Sequence, residues 1–81
     1  MEPIPFMNLS RQYESIEEEV KSAMDDVMKV TAFSGGPFVQ KFEESFADWC
    51  DAKYASAVSN GTEALHMAMV ALDIKEGDEV I

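Results

Sequence analysis

In the stretch Tyr54-Ala55-Ser56-Ala57-Val58-Ser59-Asn60-Gly61-Thr62-Glu63-Ala64-Leu65, a short apolar run stops and a helical pattern begins. Residues 54–58 have the length and small apolar content of a buried strand. Beyond them, Ala64, Leu65, Ala68, Met69 and Leu72 recur at helical spacing, and Met67, Val70 and Ala71 fill the other side. The pattern predicts a helix to about Asp73, buried on several sides. Asn60 suits the N-cap, and Glu63 falls three residues later at the capping-box position. Gly61 has no Cβ to hold a ligand away from the backbone. The amides of Gly61, Thr62 and Glu63, with the Thr62 hydroxyl, would then point out of the helix start. Amides there lack intrahelical acceptors and sit at the positive end of the macrodipole, so a phosphate dianion is a natural guest. An ordinary strand, turn and well-capped helix accounts for the same spacing, and spacing leaves both readings open.

Upstream, Phe33-Ser34-Gly35-Gly36-Pro37 breaks the chain, with two glycines free to adopt unusual angles and Pro37 placed to open a helix. That helix is predicted over residues 37–50 and puts Phe38, Phe42, Phe46 and Trp49 on one stripe, a large payload for core packing. Cys50 follows at the end of the stripe and reads as a packing residue rather than a nucleophile. Before the break, Leu9, Tyr13, Ile16, Val20, Ala23, Met24, Val27 and Val30 mark one face of a helix predicted over residues 10–31, with Ser10 as its N-cap. Residues 1–9 carry Pro3 and Pro5 and are predicted to be extended, leaving Ile4, Phe6 and Leu9 to dock.

Downstream, Lys75-Glu76-Gly77-Asp78 makes a turn and Glu79-Val80-Ile81 opens a second apolar strand. The predicted architecture is therefore mainly helical, with three helices and two short strands. The 81 residues read as one incomplete domain. Within it, residues 1–52 form an arm and helices, and residues 53–81 start a second region.

A formal charge of −10 argues against nucleic acid and anionic membranes as partners, since both select Lys and Arg. The acidic pairs and triplets read as solvated surface, and no metal site is expected without His or Cys support. One cysteine permits no internal disulfide, and neither a leader pattern nor a membrane-length apolar run is visible; a cytoplasmic location is expected.

Pro5-Phe6, Asn8-Leu9, Gln12-Tyr13, Ser34-Gly35-Gly36-Pro37, Phe42-Glu43, Ser59 to His66 and Gly77 to Ile81 occur together in this order. With them the chain resembles the N-terminal portion of the DegT/DnrJ/StrS family of pyridoxal-phosphate-dependent sugar aminotransferases. The resemblance implies an α/β protein, the start of the large domain of a fold type I pyridoxal-phosphate enzyme, with residues 53–81 opening the cofactor-binding domain. It implies a homodimer in which an amino group, usually from glutamate, passes to a keto-sugar nucleotide in polysaccharide or antibiotic sugar biosynthesis. Gly61 and Thr62 would hold the cofactor phosphate, with Asn60 and Glu63 shaping the turn. The family's catalytic lysine would lie beyond Ile81, and Lys21, Lys29, Lys41, Lys53 and Lys75 match no catalytic motif. His66, inside the apolar helix, reads as a core residue.

Two alternatives stand beside this reading. Some relatives carry histidine at the lysine position and dehydrate a deoxysugar, and only that residue would discriminate. From another class, the 81 residues would be a non-catalytic acidic helical module binding a partner through its Phe and Trp stripe; on either reading the isolated chain is expected to be inactive and to self-associate.

Overall fold

A computed structural model describes all residues, Met1–Ile81. Three α-helices follow one another: α1 over Leu9–Val30, α2 over Pro37–Trp49 and α3 over Gly61–Ala71. The chain divides into two units, Met1–Gln40 and Lys41–Ile81, with the boundary inside α2.

All three helices were legible in the apolar spacing, but their ends follow local hydrogen bonding. α1 starts one residue earlier than predicted, because Asn8 rather than Ser10 caps it: its Oδ1 accepts from the Arg11 amide at 3.1 Å. Asparagine caps as well as serine does, and the choice went to the residue whose carbonyl oxygen reaches the third helical amide. α2 opens at Pro37 as expected, where a missing N–H costs nothing.

Each helix ends by the same device, and none uses glycine for it. In α1 the Ala32 amide reaches back to the Val27 carbonyl and that of Thr31 to Met28, both at 3.2 Å. In α2 the pairs are Ala52 to Ala47 at 2.9 Å and Asp51 to Asp48 at 3.1 Å. In α3 they are Ile74 to Met69 at 3.1 Å and Asp73 to Val70 at 3.0 Å. This is the Schellman pattern, which requires one residue in the left-handed region. Thr31, Asp51 and Asp73 supply it, at φ 51°, 53° and 58°. The linker glycines do serve the break: Gly35 and Gly36 have φ of 64° and 91°. The predicted turn also forms. Asp78 donates its amide to the Lys75 carbonyl at 3.0 Å, its carboxylate accepts from the Lys75 amide at 2.7 Å, and Gly77 sits at φ 94°.

The two strands are not present: neither residues 54–58 nor residues 79–81 form a ladder. A strand exists by exchanging backbone hydrogen bonds with a neighbour, and neither apolar run meets one here. The structure is accordingly three helices and connecting segments, with the α/β character absent from these residues.

Burial departs from expectation for the same reason. Only Ala47, 5% exposed, is buried. The chain exposes 8040 Å², whereas a folded monomer of 9.0 kDa exposes about 4,900 Å². α3, predicted to be covered on several sides, has no buried residue: Leu65 and Val70 are 70% and 65% exposed, and Leu72, its C-cap, is 74% exposed. His66 and Cys50, both read as packed, are exposed. The aromatic stripe covers itself in part. The Phe42 and Phe46 rings stack with centroids 5.5 Å apart, and Phe46 and Trp49 follow at 6.0 Å. That stacking leaves Trp49 83% exposed. In the N-terminal arm Ile4 and Phe6 dock on nothing.

Candidate functional site

The start of α3 is built by Asn60. Its backbone is extended, at φ −166° and ψ 175°, which turns the side chain back over the first helical turn. Asn60 Oδ1 accepts from the Glu63 amide at 2.9 Å, and the Asn60 carbonyl accepts from the Ala64 amide at 3.0 Å. Those two bonds determine which donors remain. The sequence reading counted Glu63 among the free amides, but its N–H is taken by the cap. Gly61 and Thr62, the first and second helical residues, keep the unsatisfied N–H groups. The Thr62 hydroxyl lies beside them, on the second helical residue. Of the four residues singled out, two therefore present donors, one is their scaffold, and Glu63 is the amide that scaffold uses.

Gly61 occupies open space. A Cβ built there would meet nothing within 4 Å, and its φ lies outside the left-handed region. Neither backbone geometry nor packing within the chain requires glycine at this position. What glycine does provide is access, since its amide can be approached without a side chain in the way. Two free amides, a hydroxyl and the positive end of a helix fit one phosphate group. The Glu63 carboxylate, in the same turn, works against an anion and tempers that field.

Three of the lysines make surface contacts with neighbouring side chains. Lys21 Nζ pairs with Glu17 at 2.6 Å and Lys75 Nζ with Asp73 at 2.8 Å, both on the surface. Lys53 Nζ lies 5.3 Å from the Tyr54 ring centroid, a cation–π contact. No helix is long and apolar enough to cross a membrane.

The model of the DegT/DnrJ/EryC1/StrS aminotransferase family matches residues 14–81, which includes the whole of the α3 start. A pleiotropic regulatory protein of Geobacillus stearothermophilus is 37% identical over 78 residues, 96% of this chain and 21% of that protein. A GDP-perosamine synthase of Escherichia coli O157:H7 is 58% identical over 48 residues, 59% of this chain and 13% of the synthase. A dTDP-3-amino-3,6-dideoxy-alpha-D-galactopyranose transaminase of Aneurinibacillus thermoaerophilus is 40% identical over 78 residues, 96% of this chain and 22% of the transaminase. The chain thus spans about a fifth or less of the length of these curated relatives. No solved structure matches it significantly. On the match over residues 14–81, the chain belongs to the DegT/DnrJ/EryC1/StrS aminotransferase family.

Proposed function

We propose that these residues form the phosphate-holding start of a longer pyridoxal-phosphate-dependent enzyme, one that transfers an amino group from glutamate to a keto-sugar nucleotide. The observation that carries the reading is the pair of unpartnered amides at Gly61 and Thr62, beside a glycine that the chain itself does not need. Family membership supports it, as do two relatives whose names specify a GDP-linked and a dTDP-linked amino sugar.

In this role the Gly61 and Thr62 N–H groups donate to phosphate oxygens and the Thr62 hydroxyl adds a third donor. The α3 dipole favours the dianion, and Asn60 fixes the turn by holding the Glu63 amide. The bound cofactor supplies the electron sink through which an amino group moves between donor and acceptor. None of the five lysines here is assigned to chemistry, because each sits on a helix surface, in a turn or in a connection. Residues 53–81 open the cofactor-binding domain in this reading. The uncovered faces of α2 and α3 are covered by the rest of the enzyme and by a second copy, and the enzyme works in the cytoplasm.

The test uses the full-length protein. Amine transfer from glutamate to a keto-sugar nucleotide is measured alongside an absorbance titration of pyridoxal phosphate. Cofactor retention that weakens in Gly61→Val and Thr62→Ala, with transfer in the parent, supports the proposal. Unchanged affinity in both variants removes the phosphate assignment, and a parent that binds the cofactor but transfers no amino group removes the aminotransferase assignment.

A further inference from the structure

We draw no further inference here: the strongest candidate, the apolar groove of about 400 Å³ that Ala23, Met24, Val27, Met28 and Phe33 line along the second half of α1 and the connection after it, carries nothing because nothing in the structure shows what covers it.

Discussion

The starts of α1 and α3 are built alike and differ in what they leave open. In both, an asparagine side chain accepts from the third helical amide, at 3.1 Å in α1 and 2.9 Å in α3. In both, the second helical residue carries a hydroxyl, Ser10 or Thr62. The difference lies on either side of that hydroxyl: Leu9 and Arg11 in α1, Gly61 and Glu63 in α3. Judged on charge alone, the α1 start would be the better anion site, because Arg11 adds a cation where Glu63 adds an anion. What separates them is access. The Leu9 side chain stands at the first amide of α1, whereas nothing stands at Gly61. Gly61, rather than the dipole or the hydroxyl, is what distinguishes the α3 start from the α1 start.

The largest expected effect breaks or confirms that contrast directly. In the full-length protein, Thr62→Ala removes one donor to a charged group and should cost about 1.5 to 3 kcal/mol, a 10- to 150-fold rise in the cofactor dissociation constant, roughly. Gly61→Val should do at least as much by obstructing the first amide. Ser10→Ala, the matching change in α1, should leave the absorbance titration unmoved. An equal loss from Ser10→Ala would show that the two starts are not functionally distinct.

Next in size come the caps. Asn8→Ala and Asn60→Ala each remove a side-chain acceptor from a helix start and should each destabilise their helix by about 1 kcal/mol, read as lost helical circular dichroism in the 81-residue chain. Only Asn60→Ala should also weaken cofactor binding, because only that cap arranges the two free amides. A cofactor effect from Asn8→Ala would contradict the comparison.

A third variant separates folding from binding by sign. Gly61→Ala replaces a poor helix former with the best one, so α3 should gain up to about 0.5 kcal/mol of stability without cofactor. The same methyl group faces the approach to the first amide, so affinity should fall. Cofactor-free helicity and cofactor affinity moving in the same direction would argue that Gly61 is not an access point.

The sequence disclosed these features unequally, and the reasons are physical. Helical spacing located α1, α2 and α3, because one apolar face repeating every three to four residues is written in the chain itself. The Asn60 cap was equally legible, since a cap and its amide lie three residues apart. The strands at residues 54–58 and 79–81 were not, although their apolar character was read correctly. Strand formation depends on a neighbour, and composition carries no information about whether one is present. The use of the Glu63 amide was missed because a cap consumes a donor even as it organises the others. A signal was available: the capping-box spacing from Asn60 to Glu63 already implied that bond. The helix ends fall within two residues of the expected positions, but the left-handed residues that make them were not legible, because Thr and Asp give little warning that they will adopt φ near 50°.

The smallest expected effect concerns those ends, where the contrast of chemistry at a shared geometry recurs. Thr31 is β-branched and lies at φ 51°, where a side chain is strained. Thr31→Gly should relieve that strain, partly offset by glycine's greater freedom in the unfolded chain, for a net gain of about 0.5 kcal/mol. Asp51→Gly should gain less, since aspartate tolerates this region better. Thermal melts that rank the two variants in the opposite order would place the strain elsewhere.

The lack of any buried residue in α3 bears on how an affinity at its start should be read. An isolated helix of eleven residues is below the length at which helices hold themselves together in water. With no cover, a helix of this length is expected to exchange with an unwound form, and the two free amides would converge only while it is wound. A ligand that requires their convergence binds with its intrinsic affinity divided by the wound fraction. Its occupancy in turn draws the population toward the helix. Under the proposed phosphate assignment, winding and holding phosphate would be a single coupled equilibrium. Any surface that later packs against Leu65, Val70 or Leu72 would tighten the proposed anion site without touching it.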